Sequence, residues 1–337
     1  MPKNIDNFIE NLLSVLNPKQ KKVISRRYGL QGKRETLQEI GNLLGITRER
    51  VRQIENQSIT KIRKEAREHL VDLIQKATKH LESAGGVRED TLFVKEVQRI
   101  MSAGNVENLE NKIRFFFFAA GEPLYARETP STRSYWYLGG KAKAKLADFT
   151  NQILNTCKNT DRQKIIENTE FTEKIGSLAE AHFLTISKKF AWNAFGDFGL
   201  TSWPEINPKN VRDKAYLAVK KCGKPLHFEE IASLIHEQKI SARPVNIQTV
   251  HNELIKDSRF VLVGRGMYAL KEQGYEAGTV KEVISTLIKQ KGPLHSKQVV
   301  ELVNQKRFLK ENTILLNLQN RKSFKRLGDG KYDIHQA

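Results

Sequence analysis

Cysteine is scarce in this 337-residue sequence. Only Cys157 and Cys222 are present, and they form no CxxC pair. Without paired cysteines, and without a His/Cys spacing suited to zinc, the sequence predicts neither a disulfide framework nor a structural metal site. This excludes the disulfide-rich secreted class and is typical of a protein from a reducing cytoplasm.

Long apolar runs are also missing. The longest run, IRFFFFAAG at 113–121, is much shorter than the roughly 20 residues that a helix needs to cross a bilayer. The N-terminal stretch MPKNIDNFIENLLSVL has no apolar core of the signal-peptide type. We therefore expect a soluble cytoplasmic protein without a membrane partner.

Acidic residues are outnumbered. The chain has 38 Asp and Glu against 57 Lys and Arg, which gives a formal net charge of +19. This excess is spread along the chain and favours a polyanionic partner such as nucleic acid, although ribosome association or a solubility margin would look similar. The hydrophobic content of 39% is sufficient for several small domains with cores of their own.

Familiar catalytic patterns are absent as well, since the sequence contains no GxxxxGK[ST], HExxH or GxSxG. The histidines of the C-terminal third are His227, His236, His251 and His295. They lie on different predicted elements without a paired Cys or carboxylate at ligand spacing, so helix capping or a surface position explains them better than a metal site. We expect no enzyme activity, metal, cofactor or small-molecule ligand.

What the sequence does contain is the pattern of a helix-turn-helix at residues 36–64. A capping box at Thr36 and Glu39 predicts where the first helix begins, and Gly45 predicts where it ends. Thr47 is placed to cap the second helix. The apolar positions with the spacing that closes two helices across a tight turn are Ile40, Leu44, Ile46, Val51 and Ile54.

The second helix is predicted to expose a face of long polar side chains. This face contains Arg48, Glu49, Arg52, Gln53 and Asn56, and a separate buried stripe contains Val51, Ile54 and Ile62. Arg and Gln can make paired hydrogen bonds to base edges, Glu can accept from cytosine, and a recognition helix contacts bases with its N-terminal residues. A solvated face would have the same composition, but the turn pattern favours double-stranded DNA.

Residues 16–64, from LNPKQKKVISRRYGL through TLQEIGNLLGITRERVRQIENQSITKIRK, closely resemble the fourth region of housekeeping-type bacterial sigma factors. The run TRERVRQIE is highly specific for that region, which reads the upstream (minus-35) promoter element. The resemblance implies that Arg48, Glu49 and Gln53 read bases, and that the module docks on the flap of the polymerase beta subunit. Further residues expected to contact phosphate or polymerase are Thr47, Arg50, Arg52 and Lys61. Gln57 departs from the family, whose members often have a basic residue there.

Helices are expected on both sides of this segment. Residues 5–16 form an amphipathic pattern, and Asn17 with Pro18 predicts the start of a helix that runs to about Tyr28. These helices complete a predicted module at 1–70. After it, HLVDLIQKATKHLES is predicted to form a long helix closed by Gly85-Gly86.

Residues 71–145 are interpreted as a helical middle that contains a degenerate winged helix. VREDTLFVKEVQRIM and VENLENKIRFFFFAAG are predicted helices, and PLYARETPSTRSYWYLGG has the character of a two-stranded wing. Tyr135, Trp136 and Tyr137 beside KAKAK could stack single-stranded bases. A wing strand packed on its own core is the favoured interpretation, because only alternate residues of a strand face outward.

Residues 146–207 are interpreted as a helical spacer followed by an aromatic strap. The strap, KFAWNAFGDFGLTSWPEINPKN at 189–210, interleaves aromatic residues with Pro and Gly breaks and is not expected to form a regular element. Aromatic residues in a linker most often bury against a neighbouring domain, so internal packing is favoured over docking of a partner.

The C-terminal third contains an internal repeat with copies at 208–272 and 273–337. The matched positions are Thr249, Leu254, Phe260, Gly264, Gly266, Tyr268 and Leu270 in the first copy, and Thr313, Leu318, Phe324, Gly328, Gly330, Tyr332 and Ile334 in the second. Each copy is predicted to form three helices and a hairpin, with GRG at 264–266 and GDG at 328–330 supplying positive-φ residues for the turn. This order predicts tandem winged helices.

The unit at 208–272 resembles the HARE type of helix-turn-helix domain, through VRDKAYLAVKKCGKPLHFEEIASLI and RFVLVGRGMYAL. Such domains are found in the RNA polymerase delta subunit of some bacteria and in chromatin and restriction proteins, which implies a module that binds nucleic acid or the transcription machinery. If the wings bind DNA, the residues placed to neutralise phosphates are Lys256, Arg259, Arg265, Arg321, Lys322, Lys325 and Arg326. Contact with polymerase is an equal alternative, because fold does not decide function.

Together these patterns predict a mainly α protein: a sigma-type helix-turn-helix module, a helical middle, and two tandem winged helices with small β-hairpin wings. The expected function is a DNA-binding transcription initiation factor or regulator that reads a promoter-like site and contacts the RNA polymerase core at the bacterial nucleoid. A polymerase-independent repressor or activator, and a specificity module of a restriction or modification system, are the alternatives. No counterpart of the promoter-melting second sigma region is found, so the protein should not open promoters alone.

Overall fold

The computed structural model describes residues 5–101, 106–275, 278–307 and 309–335. The fold is mainly helical with small antiparallel sheets, which confirms the predicted class. The chain forms two compact units, Met1–Ala191 and Trp192–Ala337.

The first unit begins with four helices: α1 (Ile5–Ser14), α2 (Pro18–Tyr28), α3 (Leu37–Leu44) and α4 (Arg48–His69). The side chains of Asn17 and Thr36 cap α2 and α3, each in a capping box. Gly29 and Gly45 end the same two helices in the left-handed conformation. These local signals confirm the predicted helix boundaries, because a cap depends only on residues within one turn of the helix end.

A helix, a strand, two helices and a hairpin follow: α5 (Val71–Ser83), β1 (Val87–Glu89), α6 (Asp90–Met101), α7 (Leu109–Ala120), β2 (Leu124–Ala126) and β3 (Tyr135–Tyr137). Strand β3 pairs antiparallel with both β1 and β2. This confirms the expected two-stranded wing. The prediction of helix was wrong for Val87–Glu89, because pairing with a strand almost fifty residues away decides their conformation.

The aromatic strand β3 belongs to the interior. Trp136 is fully buried and Tyr135 is 5% exposed. The Trp136 ring lies 5.4 Å from the Phe117 ring and 4.8 Å from the Tyr125 ring, and its Nε1 donates to the Asp90 carboxylate at 2.7 Å. The favoured interpretation of a wing strand packed on its own core therefore agrees with the structure, and Trp136 has no face available for stacking a base.

One hydrophobic core joins the four N-terminal helices to the elements that follow them. Ile62 of α4 and Phe116 of α7 are both fully buried in it. Beside them, the Arg67 guanidinium donates to the carbonyl oxygen of Ala120 at 2.7 Å. The core crosses the domain boundary expected at residue 70, because the apolar face of α7 packs on the C-terminal half of α4.

The region predicted as a spacer packs on the sheet of the first unit. It contains α8 (Gly140–Asn159), α9 (Arg162–Glu167), α10 (Thr169–Ser177) and a 3₁₀ helix (Ala181–Thr185). Leu146 and Phe183 from this region are buried with Val87 and Tyr135. Because α8 begins at Gly140, the boundary expected after residue 145 falls inside a helix.

The aromatic strap contains regular structure. Strands β4 (Phe190–Trp192) and β5 (Phe198–Leu200) form a two-stranded sheet, so the expectation of no regular element was wrong. Phe198 is fully buried, whereas Trp192 is 40% exposed with its ring 4.9 Å from the Phe198 ring. This contact lies within the strap, and burial of the strap against a neighbouring domain stays a prediction.

The second unit repeats one order of elements twice. The first copy contains α11 (Val211–Cys222), β6 (Leu226–His227), α12 (Phe228–Glu237), α13 (Ile247–Lys256), β7 (Phe260–Gly264), β8 (Met267–Leu270) and a 3₁₀ turn (Lys271–Gln273). The second contains α14 (Val280–Lys291), β9 (Leu294–His295), α15 (Ser296–Lys306), α16 (Glu311–Leu318), β10 (Phe324–Arg326) and β11 (Lys331–Ile334). Each copy has a hydrophobic core of its own.

The sheet topology is the same in three places in the chain. The sheet orders are β6-β8-β7, β9-β11-β10 and β1-β3-β2, so the last strand always lies between the other two. The order of elements in the C-terminal copies thus recurs in the helical middle of the first unit. In the hairpin turns, only the second glycine of each pair has a positive φ, 69° at Gly266 and 82° at Gly330.

Candidate nucleic-acid interface

A small apolar cluster holds the helix-turn-helix together. Its buried members are Val23, Ile40, Val51 and Ile54. At Gly41 the turn approaches α3 closely, because a Cβ there would lie 2.7 Å from the carbonyl oxygen of Ile46. This cluster holds α4 against α3 and decides which face of α4 remains exposed.

Thr47 begins the recognition helix. Its hydroxyl accepts a hydrogen bond from the backbone N–H of Arg50 at 3.2 Å, which caps α4 as expected. The cap satisfies one of the N–H groups that a helix start leaves without a partner. The other N–H groups of the first turn point along the helix axis, where an anion such as a phosphate is favoured.

The predicted reading face is exposed on the first turns of α4. Its exposed residues are Arg48, Glu49, Arg52, Gln53 and Asn56. On the opposite side, Val51 is fully buried and Ile54 is 5% exposed. The structure therefore brings the three predicted base readers together on one solvent-facing surface.

Several of these side chains bond to one another. The Arg52 guanidinium donates twice to the Glu49 carboxylate, at 2.8 and 2.6 Å, and Arg50 Nη1 donates to Gln53 Oε1 at 3.1 Å. The hydrogen bonds from Arg52 lower the pKa of Glu49, so at neutral pH this carboxylate is charged and only accepts hydrogen bonds. Such exposed pairs contribute little to stability because water and salt screen them, so a bound partner can replace them at little cost.

Lys61 lies apart from this face. It is exposed farther along α4, and its Nζ is 3.5 Å from Gln20 Oε1 of α2. At about 1.5 Å of rise per residue, Lys61 is roughly 12 Å along the axis from Gln53. It is therefore placed for a contact outside the reading face.

The basic residues of the C-terminal hairpins differ in their environment. Arg265 is exposed in the turn between β7 and β8, and Lys325 and Arg326 are exposed on β10. The Arg259 guanidinium, by contrast, bonds to the carboxylates of Asp257 at 2.6 Å and Asp213 at 2.9 Å. It also lies 4.5 Å from the centre of the Tyr216 ring. Because two carboxylates neutralise it, Arg259 is a poor phosphate ligand, contrary to the expectation.

Two of the four histidines begin helices. His227 and His295 are the N-cap residues of α12 and α15, and their backbone N–H groups donate to Glu230 at 2.9 Å and Gln298 at 3.1 Å. This confirms the capping role for these two.

Within the described residues, no group of three or more His, Cys, Asp or Glu side chains is placed to hold a metal ion. Among the same residues, none of the helices has both the length and the apolar character needed to span a bilayer.

The sequence patterns missed a basic groove of about 550 Å³ beside the far end of the reading face. Its polar and aromatic lining includes Arg27, Arg34, Asn56, Arg63, Tyr125 and Arg127. Arg127 follows β2 and is more than sixty residues from Arg63 of α4 in sequence, so no local pattern connects the two. The only signal in the sequence was the net positive charge of the chain.

Comparison with known proteins identifies one part of the chain. Residues 12–64 match the family model described as "Sigma-70, region 4", which confirms the resemblance drawn from residues 16–64. No solved structure matches the chain at a significant level.

The similar curated proteins are sigma factors. The chain is 39% identical over 64 residues to the chloroplastic RNA polymerase sigma factor sigF of Arabidopsis thaliana, covering 19% of this chain and 12% of that protein. It is 48% identical over 56 residues to the RNA polymerase sigma factor SigA1 of Synechococcus elongatus, covering 16% and 14%. It is 47% identical over 68 residues to the RNA polymerase sigma-B factor of a Nostoc species, covering 19% and 20%. The chain thus spans a fifth or less of the length of these relatives.

Proposed function

We propose that this protein is a DNA-binding regulator of transcription initiation whose residues 12–64 read an upstream promoter element. The observation that carries the proposal is the exposed face on the first turns of α4, within the segment that matches sigma-70 region 4. Arg48, Glu49 and Gln53 lie together there, while Val51 anchors the helix from behind. This is the arrangement that a recognition helix needs to reach base edges in the major groove.

Each proposed reader has a chemical role. Arg48 and Gln53 can donate to the edges of guanine and adenine, and the charged Glu49 can accept from the amino group of cytosine. Contacts with phosphate or polymerase are assigned to Thr47, Arg50, Arg52 and Lys61. These contacts position the protein on the duplex but carry no sequence information.

RNA polymerase is the second proposed partner. The similar proteins are RNA polymerase sigma factors by name, and the resemblance implies docking of this module on the beta flap.

We propose that the chain is organised as a reader at 1–70, a middle at 71–145, a linking region at 146–207, and winged helices at 208–272 and 273–337. The repeated order of three helices and a three-stranded sheet supports winged helices in the last two, and the resemblance of 208–272 implies the HARE type there. Exposed Arg265, Lys325 and Arg326 would add phosphate contacts there.

The reading role is tested by selecting a preferred duplex with the full-length protein and measuring binding of Arg48→Ala and Gln53→Ala. Each variant should lose about 1–3 kcal/mol on the selected site and relax base choice there. Arg99→Ala is the matched control, because Arg99 is an exposed arginine of the same unit on α6. Equal losses on random DNA would contradict the base-reading role.

A polymerase-independent repressor or activator is the second candidate. It is favoured by the short extent of the match, since residues 12–64 leave most of the chain without a sigma counterpart. Co-purification separates the two candidates. The leading proposal expects the tagged protein to retain core polymerase after a high-salt wash and nuclease treatment, whereas the second candidate expects DNA binding without polymerase.

A further inference from the structure

We infer that the basic groove beside α4 is a second site for the DNA phosphodiester backbone, which holds the strand flanking the sequence that α4 reads. This inference rests on the proposed function and extends it to the helical middle of the first unit. The walls of the groove come from both parts: α4 supplies Asn56 and Arg63, the loop before α3 supplies Arg34, and the wing supplies Tyr125 and Arg127.

The charge of the groove fits a polyanion. Arg34, Arg63 and Arg127 are exposed, and within the described residues none of them forms an ion pair with a carboxylate. Glu55 is the acidic residue among those lining the groove. Its carboxylate already accepts hydrogen bonds from Tyr28 Oη at 3.1 Å and from Arg27 Nε at 3.4 Å. Three guanidinium groups therefore line the groove without a carboxylate partner in the part of the chain that the structure describes.

The groove continues the reading face along the same helix. At about 1.5 Å of rise per residue, Asn56 is roughly 4.5 Å and Arg63 roughly 15 Å along the α4 axis from Gln53. The major groove of B-DNA is about 8.5 Å deep, so a helix that enters it with its N-terminal turns leaves it within about six residues. Asn56 would then lie near the level of the phosphates, and Arg63, roughly 10 Å farther along the same side of the helix, would lie beyond the bases.

The two walls are held together before any DNA arrives. Besides the shared core, Asn111 Nδ2 of α7 donates to the carbonyl oxygen of Gly29 at 3.2 Å. The Tyr28 ring of α2 packs 5.4 Å from Phe115 and 5.5 Å from Phe118 of α7. A preformed groove loses little conformational entropy on binding, which favours affinity.

The side chains of the groove favour a duplex backbone over a stacked single strand. The Tyr125 ring is half-buried and packs against the rings of Phe118 and Trp136 at 5.0 and 4.8 Å. Stacking of single-stranded bases requires open aromatic faces, whereas the exposed guanidinium groups present paired donors that match phosphate oxygens.

The test compares full-length Arg63→Ala/Arg127→Ala with wild type on the selected duplex and on a random duplex of equal length. Loss of two phosphate contacts should make the slope of log affinity against log salt shallower by about 1.8 on both duplexes. Between 50 and 200 mM salt, this slope difference corresponds to about a twelvefold change in the affinity ratio of wild type to variant. Hydroxyl-radical protection should be lost on one flank of the site only.

Matched variants separate charge from structure. Arg63→Lys/Arg127→Lys should keep the wild-type slope, and Arg99→Ala should change neither slope nor footprint. Arg34→Ala, in the loop before α3, should reduce the slope by about 0.9. Circular dichroism verifies that each variant is folded, and because all three arginines are exposed, their removal should leave the fold intact.

The outcomes distinguish this inference from the proposed function. If the double alanine variant keeps the wild-type slope and footprint while Arg48→Ala still relaxes base choice, the groove does not bind the DNA backbone. The proposed base-reading role of α4 is then unaffected. If the double variant binds DNA normally but no longer co-purifies with polymerase, the groove holds an acidic protein surface and the inference is overturned. If wild type binds no duplex at all, both proposals fail.

Discussion

Val51→Asp is the sharpest test of how the reading helix is held. Val51 is fully buried in the apolar cluster that joins α2, α3 and α4. This cluster is separate from the large core that holds the C-terminal half of α4. The substitution should therefore unfold the helix-turn-helix locally and abolish DNA binding, while the large core stays folded.

The magnitude follows from what the cluster contributes. Its four fully or nearly buried side chains are Val23, Ile40, Val51 and Ile54. Burial of a side chain of this size contributes about 1.5–3 kcal/mol, so the cluster supplies roughly 6–12 kcal/mol before conformational entropy is subtracted. An aspartate at position 51 loses one such contribution. It also places a carboxylate among aliphatic groups without a cationic partner, for a total cost above about 4 kcal/mol. That cost is comparable with the local stability of so small a cluster.

The assay is native-state hydrogen exchange with duplex binding measured in parallel. Backbone amides of α3 and of the first turns of α4 should lose protection in Val51→Asp, while amides of α7 keep it. Leu43→Asp is the control, because Leu43 is 50% exposed on α3 and receives the same charge. Val51→Ala removes two methyl groups at about 0.8 kcal/mol each and should stay folded and bind DNA.

Two results would refute this reasoning. If Val51→Asp keeps wild-type exchange protection in α3, position 51 is not buried and the register of α4 is incorrect. If α7 loses protection together with α3, the two clusters unfold as one cooperative body and the small cluster is not an independent support.

Three further predictions concern the caps, the turns and the C-terminal units. Thr36→Ala should cost about 1 kcal/mol in chemical denaturation at neutral pH. The hydrogen bond from the backbone N–H of Thr36 lowers the pKa of Glu39 below its ordinary value of 4.5. The stabilisation from this carboxylate is therefore complete above about pH 4.5 and is lost as the pH falls through the lower pKa of the folded state. Glu39→Gln should abolish this pH dependence. Gly266→Ala should destabilise its unit in thermal unfolding, because φ is 69° and the new Cβ would lie 2.4 Å from His227 Nε2. Gly328→Ala is the control and should be nearly neutral, because nothing lies within 4 Å of a Cβ at that position. A protein lacking residues 208–337 should keep its preferred duplex but bind it more weakly. Its slope of log affinity against log salt should be shallower by about 0.9 for each lost phosphate contact. If affinity and slope stay unchanged while co-purification with polymerase is lost, these units are protein-docking modules instead.

The sequence was sufficient wherever structure depends on near neighbours. The caps at Asn17, Thr36 and Thr47, the end of α2 at Tyr28 and the helix-ending Gly45 were predicted correctly, because a cap or a left-handed residue acts within one turn. The reading face of α4 follows from helical periodicity alone. The C-terminal repeat was visible because its hairpins preserve glycine and aromatic spacing.

Contacts between distant parts of the chain were decided only by the tertiary structure. Val87–Glu89 became a strand through pairing with β3, and the strap became a two-stranded sheet. The hydrophobic core includes residues on both sides of residue 70, because α7 packs on α4. The predicted domain boundaries stay a prediction. Arg127 and Arg63 line the same groove although they are far apart in sequence. Local patterns cannot predict such long-range contacts, because these contacts depend on which apolar faces pack together when the whole unit folds.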